Sequence, residues 1–158
     1  RILKDQVIKN ADLQIVATDI SEDAVDISRK NAQTAGVDTL ITFEVCDFAD
    51  TQVPEGGKGV VVFNPEYGER LGVHSQLELT YKRIGDFMKK ECKGYSGYIF
   101  TGNPDLAKKI GLKASRKLEF YNGKLDCRML EYELYDGSKR ADDERPQPKA
   151  PLKEQPED

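Results

Sequence analysis

Four consecutive residues, Asn64-Pro65-Glu66-Tyr67, follow an apolar run and carry the groups that a reaction on an exocyclic amine would need. Such an amine on a nucleobase is a poor nucleophile because its lone pair is delocalised into the ring. The side-chain oxygen of Asn64 and the carbonyl oxygen of Pro65 can accept hydrogen bonds from the two N–H groups of the amine and turn the lone pair toward an electrophilic methyl group, while Tyr67 stacks on the base. The tetrapeptide therefore predicts methyl transfer to a base amine, although Asn-Pro also forms simple turns.

Two other apolar runs end in an acidic residue. Asp19 follows residues 14–18, and Asp47 with Phe48 follows residues 41–45. In nucleotide-binding folds a carboxylate after a strand can hold a ribose diol, so Asp19 is a candidate for that contact. Asp47 offers an acceptor for the amine of a purine, and Phe48 offers a ring beside it. Each has a plainer interpretation, because an Asp before a helix often acts as a cap and Phe48 is equally suited to a core.

The strands and helices that must position these residues alternate along the chain. Apolar runs at residues 14–18, 41–45 and 59–63 predict strands, the last of them buried on both faces. Ser21 is placed to cap a helix that Gly36 ends.

Later elements are predicted by capping signals and further apolar runs: a helix opened by a capping box at residues 75–78, a strand at 98–101, a helix opened by Asn103-Pro104, and a hairpin of residues 116–121 and 127–135 around Asn122-Gly123. This alternation predicts an α/β fold with a doubly wound, mostly parallel, Rossmann-like sheet, and the hairpin adds an antiparallel strand at or near its edge. Ligands bind such sheets at the carboxyl ends of the strands. The acidic residues and the tetrapeptide are therefore expected at one edge.

The composition restricts the class of protein. A length of 158 residues suits one domain, and a net charge of −4 argues against a polycation that coats nucleic acid. The longest apolar run has four residues, whereas a membrane span needs about 20. Three cysteines without CxxC spacing predict neither a disulfide framework nor a metal site, and they fit a reducing cytoplasm.

Two polar regions complete the chain. Residues 137–158 hold four of the seven prolines and no aromatic residue, so we expect a disordered tail. Basic residues cluster before and within the first hairpin run, at Lys108, Lys109, Lys113, Arg116 and Lys117. This basic cluster can hold phosphates or simply form a solvated helix face. His74, the only histidine, is expected at the surface rather than as a general base.

Several of these stretches together resemble one family, the THUMP-containing class I methyltransferases of the RlmL type. These enzymes act on guanine N2 of 23S ribosomal RNA and are often labelled N6-adenine-specific DNA methylases. The matching residues are 19–36, 41–47, 64–72, 101–106, 112–117, 122–123 and 126–128. The resemblance covers about residues 1–135, the stretch 64–72 is specific to this family, and a partial methyltransferase domain over residues 1–136 is implied.

The resemblance also implies S-adenosylmethionine as the cofactor and a role for each candidate residue. The implied cofactor-binding residues are Asp19 and Ile20 at the ribose, Asp47 and Phe48 at the adenine, and Asn64. The implied catalytic residues, which hold the target base, are Asn64, Pro65 and Tyr67. The implied substrate is a guanine of 23S rRNA or its precursor. An N6-adenine DNA methyltransferase and a non-catalytic RNA-binding remnant are the alternatives.

Two departures from the family pattern bear on these expectations. Glu66 stands where the family has a second proline, which removes a restraint on φ beside the Pro65 carbonyl, although a neutral, solvent-facing side chain is the simpler interpretation. In the family, the first strand, a glycine-rich loop for the methionine part of the cofactor and the THUMP domain lie upstream. The chain is therefore expected to be the C-terminal portion of the catalytic domain and, alone, to bind cofactor weakly or not at all.

Overall fold

The structure is a computed structural model that describes residues 13–56, 58–67, 74–123 and 125–135. Strands and helices alternate in the order β1 (Ile15–Asp19), α1 (Glu22–Ala35), β2 (Ile41–Val45), β3 (Val60–Phe63), α2 (His74–Glu91), β4 (Ser96–Thr101), α3 (Pro104–Lys109), β5 (Arg116–Asn122) and β6 (Leu125–Glu133). The alternation predicted from the sequence is confirmed. The predicted disordered tail at residues 137–158 lies outside the described residues.

The strands form two sheets within the described residues. Strands β1 and β2 pair in parallel, with Ile15 opposite Ile41. The second sheet has the order β3-β4-β6-β5, in which β3 and β4 are parallel and β6 runs antiparallel to both of its neighbours. The predicted α/β sheet with one antiparallel hairpin strand near its edge is thus confirmed. Helix α1 packs on β1 and β2, and α2 packs on α3.

Local capping chemistry explains where two of the helices begin. Ser21 precedes α1, and its hydroxyl accepts a hydrogen bond from the backbone N–H of Ala24 at 3.3 Å. Asn103 precedes α3, and its Oδ1 accepts from the N–H groups of Asp105 and Leu106 at 3.0 and 3.1 Å. These side chains satisfy N–H groups that have no partner inside the helix. Both predicted caps are confirmed.

The predicted capping box at residues 75–78 is wrong. Helix α2 begins at His74, so Ser75 is its second residue rather than the residue before it. A cap must lie outside the helix, where its backbone is extended and its side chain can reach back to the free N–H groups. His74 is accordingly the first residue of the helix and not the residue before a cap.

The prediction that β3 is buried on both faces is also wrong. Val60 and Val62 are 63% and 60% exposed, whereas Val61 and Phe63 pack against the core. The difference arises because only one face of the strand meets the core, where Phe63 contacts Phe87 of α2, while Val60 and Val62 are on the exposed face. An apolar sequence alone does not say on how many faces a strand is covered.

The core lies between the four-stranded sheet and helices α2 and α3. Its fully buried side chains include Tyr81, Ile84 and Met88 of α2 and Ile99 of β4. Helices α2 and α3 approach closely, since a Cβ on Gly85 would lie 1.9 Å from the backbone oxygen of Ile110. None of the described helices is long and apolar enough to cross a membrane.

Candidate active site

The carboxylate of Asp19 lies at the carboxyl end of β1 and is exposed. Its Oδ1 accepts a hydrogen bond from the backbone N–H of Ser21 at 2.8 Å. This oxygen therefore bonds the residue that caps α1. The backbone oxygen of Asp19 accepts from the N–H of Cys46 at 3.0 Å, which joins the ends of β1 and β2. Ile20, the next residue, is 74% exposed. The second carboxylate oxygen of Asp19 has no partner among the described residues and is available to a ligand.

Asp47 lies just after β2 and carries two hydrogen bonds on the same oxygen. Its Oδ1 accepts from the backbone N–H of Ala49 at 2.9 Å and from Nη2 of Arg83 at 2.8 Å. The Ala49 N–H, together with the bond and charge of Arg83, holds the pKa of the Asp47 carboxyl below its usual value of 3.8, against a smaller opposing effect of burial. Asp47 is therefore an anionic acceptor held in a fixed orientation.

The ring of Phe48 is part of an aromatic cluster at the edge of the core. It meets Phe63 and Phe87 edge to face, with centroids 5.7 and 6.0 Å apart. The guanidinium carbon of Arg83 lies 5.0 Å from the centre of the Phe48 ring, within the range of cation–π attraction. The alternative interpretation of Phe48 as a packing residue thus describes most of its contacts, and its role toward a purine stays a prediction.

Arg83 is the residue that the sequence analysis did not single out. It lies on α2, 36 positions from Asp47, and its guanidinium contacts both Asp47 and Phe48. No local motif marks it, because its partners come from a different part of the chain. It orients the two residues that follow β2.

The tetrapeptide follows β3 directly. Asn64 and Glu66 are exposed, and Pro65 and Tyr67 are half-buried. The side chain of Asn64 has no hydrogen-bond partner among the described residues, so its oxygen is free to accept. Glu66 points into solvent, as the simpler interpretation of this departure from the family pattern requires.

Tyr67 is held by residues of the other sheet strands. Its ring meets Phe100 of β4 edge to face at a centroid distance of 6.4 Å, and Phe100 in turn meets Phe120 of β5 at 6.0 Å. A Cβ on Gly102 would lie 3.0 Å from Cε2 of Tyr67. The ring therefore occupies space that any side chain at position 102 would contest.

A continuous series of contacts connects the three strand ends. The Asp19 backbone bonds that of Cys46, which directly precedes Asp47. Phe48 then contacts Phe63, which directly precedes Asn64. The structure thus brings the candidate residues to one edge of the fold. This is the edge formed by the carboxyl ends of parallel strands, where ligands bind in folds of this class.

The chain matches a protein family over most of its length. The family described as UPF0020, RMKL-like, methyltransferase domain, matches residues 2–131. The chain belongs to this family. The resemblance drawn from the sequence is therefore confirmed.

Two curated relatives give the scale of the similarity. The ribosomal RNA large subunit methyltransferase K/L of Syntrophotalea carbinolica is 39% identical over 123 residues, which cover 76% of this chain and 17% of that protein. The protein of the same name from Chromohalobacter salexigens is 38% identical over 119 residues, covering 74% of this chain and 16% of that protein. This chain spans about a sixth of the length of these relatives.

Solved structures share the fold of this RMKL-like domain. The crystal structure of SMU.472 complexed with SAH has a TM-score of 0.75 and 27% identity, covering 85% of this chain and 35% of that chain. An RNA methyltransferase from Salinibacter ruber in complex with S-adenosyl-L-homocysteine has a TM-score of 0.56 and 14% identity, covering 82% of this chain and 71% of that chain, which is a likeness of fold alone. S-adenosylhomocysteine is what S-adenosylmethionine becomes after losing its methyl group. The predicted Rossmann-like fold is thus confirmed, and so is the predicted cofactor for the family.

The described residues of this RMKL-like domain fit the adenosine part of such a cofactor. Asp19 has an exposed oxygen that can accept from a ribose diol, and Asp47 is an oriented carboxylate that can accept from the amine of adenine. Both hydrogen bonds described for Asp47 go to Oδ1, which leaves Oδ2 for a ligand.

No described part of the domain is arranged as a metal site. Within the described ranges, no group of three or more His, Cys, Asp or Glu side chains is placed to hold a metal ion. The cysteines Cys46, Cys92 and Cys127 are all free thiols. Burial raises the pKa of the Cys92 thiol to about 11, so this thiol stays protonated at neutral pH and is a packing residue rather than a nucleophile.

Proposed function

We propose that this chain is part of the catalytic domain of a cytoplasmic methyltransferase, and that the chain alone is inactive. The complete enzyme transfers a methyl group from S-adenosylmethionine to the exocyclic N2 amine of a guanine in 23S rRNA or its precursor. One observation carries the proposal: Asn64, whose side-chain oxygen has no partner among the described residues, and Tyr67, whose ring packs on Phe100, follow β3. The last residue of β3, Phe63, contacts Phe48, which is next to Asp47. The relatives named ribosomal RNA large subunit methyltransferase K/L support the choice of rRNA.

The residues of the tetrapeptide act by positioning and charge. Tyr67 holds the target base by stacking. The Asn64 oxygen and the Pro65 carbonyl accept hydrogen bonds from the two N–H groups of the amine, which directs the nitrogen lone pair out of the ring plane. When bound, S-adenosylmethionine supplies an electrophilic methyl group. As the new bond forms, the amine nitrogen becomes positive, the two oxygens stabilise that charge, and the nitrogen then releases a proton to solvent.

The other strand ends hold the cofactor in this proposal. Asp19 accepts from the ribose hydroxyls, with Ile20 beside it, and Asp47 accepts from the adenine amine. Arg83 keeps Asp47 ionised and oriented but leaves Oδ2 to the ligand. The net charge of this chain is −4, so its own attraction for RNA is local. The family resemblance implies a THUMP domain upstream in the same polypeptide, which in this proposal brings the RNA.

The experiment uses the complete gene product that contains this chain, with S-adenosylmethionine carrying a labelled methyl group. The substrates are unmodified 23S rRNA and an adenine-containing DNA duplex, and the labelled nucleosides are identified by mass spectrometry after digestion. We expect N2-methylguanosine from RNA. Label in N6-methyladenine of DNA would replace the proposal with the adenine alternative, and no label in either substrate would favour the non-catalytic remnant.

A further inference from the structure

A cavity lies between α3 and the hairpin β5–β6, apart from the ends of β1, β2 and β3. Its volume is about 530 Å³, within the range of roughly 300–1,000 Å³ that sites for small ligands span. Leu130 and Tyr132 form its deep side, since they are 5% and 2% exposed, and Leu112 adds to the apolar lining. The apolar depth suits a flat, uncharged group such as a nucleobase.

Four cationic side chains and one carboxylate line this cavity, namely Lys108, Lys113, Lys117, Arg128 and Asp126. Two of the cations are already paired. Arg128 bonds Asp126 and lies 3.7 Å from Oε1 of Glu119, and Nζ of Lys108 lies 2.8 Å from Oδ1 of Asp105. Each of these two cations therefore already has an acidic partner.

Lys113 and Lys117 differ from the other two cations. Both are exposed, and neither has an acidic partner among the residues that the structure describes. Lys117 lies on β5 opposite Leu130 of β6, so its side chain starts beside a residue of the apolar lining. The cavity therefore combines an apolar depth with two unpaired positive charges at its mouth, which is the chemistry of a nucleotide: a base and a phosphate.

The cavity reaches the residues that position Tyr67. Thr101 and Gly102, at the end of β4, belong to its lining, and Gly102 is also the residue against which the Tyr67 ring packs. Buried Thr101 accepts at Oγ1 from the N–H of Asn103 at 3.1 Å and is hydrogen-bonded to Tyr81 at 2.8 Å, which fixes this junction. An RNA strand that stacks one base on Tyr67 therefore needs to extend only past Thr101 and Gly102 for a second nucleotide to reach the cavity.

We infer that this cavity binds a second nucleotide of the substrate RNA, near the one whose base Tyr67 holds, with its base against the apolar lining and its phosphate between Lys113 and Lys117. The inference rests on the proposed function for the identity of the polymer. A purely apolar ligand would not use the two unpaired lysines, and a free phosphate would not use the apolar depth. A nucleotide uses both.

The first experiment measures binding of a short fluorescein-labelled single-stranded RNA to the complete gene product over a range of salt concentrations. Loss of the contact with one phosphate should reduce the slope of log K against log salt by about 0.7 for a single strand. Because the two lysines share one phosphate, Lys113→Glu/Lys117→Glu should flatten the slope by about 0.7 and weaken binding at low salt. Lys30→Glu, a change on exposed α1 that packs on β1 and β2, is the control, and a loss of RNA binding equal to that of the double variant would overturn the inference.

A second variant tests the apolar depth separately from charge. Ala114→Phe puts a ring into the cavity lining and leaves both lysines in place. We expect it to weaken RNA binding with an unchanged salt slope. If Ala114→Phe leaves both the RNA affinity and the melting temperature unchanged, RNA binds only to the charged surface and not in the cavity, which would contradict the inference. Guanosine monophosphate, tested alone, should bind far more weakly than RNA; equal affinity would mean a metabolite pocket instead.

Methyl transfer separates this inference from the proposed function. If both hold, Lys113→Glu/Lys117→Glu raises the KM for rRNA and leaves S-adenosylmethionine affinity unchanged, while Lys113→Arg/Lys117→Arg restores the KM. A wild-type protein that binds RNA through the lysines but methylates no RNA would refute the proposed function alone. A wild-type protein that methylates rRNA with a KM indifferent to all cavity variants would refute the cavity inference alone.

Discussion

The ring of Tyr67 packs against Gly102, the residue that joins β4 to the start of α3: a Cβ at position 102 would stand 3.0 Å from Cε2 of that ring. The same Cβ would lie 3.0 Å from Cδ2 of Leu125, so a side chain at position 102 would be crowded from two sides. The absence of a side chain at position 102 therefore sets where the Tyr67 ring can lie. In the proposed enzyme, this contact fixes the stacking surface for the target base.

Gly102→Ala should displace the Tyr67 ring by a few tenths of an ångström and weaken capture of the base. We expect a higher KM for rRNA, with S-adenosylmethionine affinity unchanged. Stacking of a base on an aromatic ring is worth about 1–3 kcal/mol, which bounds the effect and is the loss expected for Tyr67→Ala itself. In a double-mutant cycle, Gly102→Ala should add little to Tyr67→Ala, because the ring through which it acts is already gone. Fully additive losses would contradict this positioning role.

Asn64→Ala should act on turnover rather than on binding. The Asn64 oxygen matters most as the amine nitrogen gains positive charge, so by analogy with a single oxyanion-hole donor kcat should fall by about 10²–10³. Single-turnover methylation of unmodified rRNA, measured beside equilibrium cofactor binding, checks this. The adjacent exposed residue provides the matched control, since Glu66→Gln should leave both quantities unchanged. Normal turnover in Asn64→Ala would refute the proposed mechanism.

The Glu66 position also tests the departure from the family pattern. Restoring proline there should raise turnover or leave it unchanged, because it adds a φ restraint next to the Pro65 carbonyl. Loss of methylation in Glu66→Pro would mean that the Glu66 carboxylate has a catalytic role of its own.

The lowered pKa of Asp47 predicts that the stability of the fold depends on pH. The N–H of Ala49 and the guanidinium of Arg83 hold its pKa below the usual 3.8. The ionised carboxylate therefore stabilises the folded state above pH 3.8, and this contribution is lost as the pH falls through the lowered pKa. In urea unfolding, the free energy difference between wild type and Asp47→Asn should be constant at neutral pH and shrink in acid. A difference that does not change with pH would contradict the lowered pKa of Asp47.

Arg83→Gln isolates the partner of Asp47. Both side chains are partly exposed, at 44% and 27%, so the pair is expected to contribute about 0.2–1 kcal/mol, as exposed ion pairs do. A double-mutant cycle with Asp47→Asn measures this coupling directly. S-adenosylmethionine affinity should fall modestly in Arg83→Gln, because Asp47 loses one of the two bonds that orient it.

The sequence predicts this fold where the chemistry is local and misses it where partners are distant. Ser21 and Asn103 cap their helices because the groups they bond lie within three residues. Ser75 fits the same local pattern, but the helix already begins at His74, so Ser75 lies inside it. Whether each face of β3 is buried depends on which elements pack against it, and the apolar residues of the strand do not show this. Arg83 was missed because its partner Asp47 is 36 residues away.

The strand-end residues show the same division. The alternation of strands and helices is enough to place Asp19, Asp47 and Asn64 at the carboxyl ends of their strands, and the topology then brings those ends to one edge. The contacts that hold Tyr67 could not be predicted in this way. Phe100 and Gly102 contact its ring only because β4 pairs with β3 in the sheet, and no residue spacing in the sequence indicates that contact.

Asp19 should be required for cofactor binding through charge and not merely through its contact with Ser21. Its Oδ1 accepts from the Ser21 N–H at 2.8 Å, so Asp19→Ala removes a local hydrogen bond as well as an acceptor for the ribose. Asp19→Asn keeps an oxygen for Ser21 and loses the charge. Hydrogen bonds to charged groups are worth about 1.5–3 kcal/mol, which corresponds to at least about a tenfold weaker Kd for S-adenosylmethionine.

Isothermal titration of S-adenosylmethionine into the complete gene product separates the two roles of Asp19. We expect both variants to lose cofactor affinity, while only Asp19→Ala also lowers the melting temperature. Asp23→Ala, a change of the same kind in the first turn of α1, should leave cofactor affinity as it is. If Asp19→Asn binds the cofactor as tightly as wild type, the carboxylate serves only the start of α1, and the ribose must be held by another group.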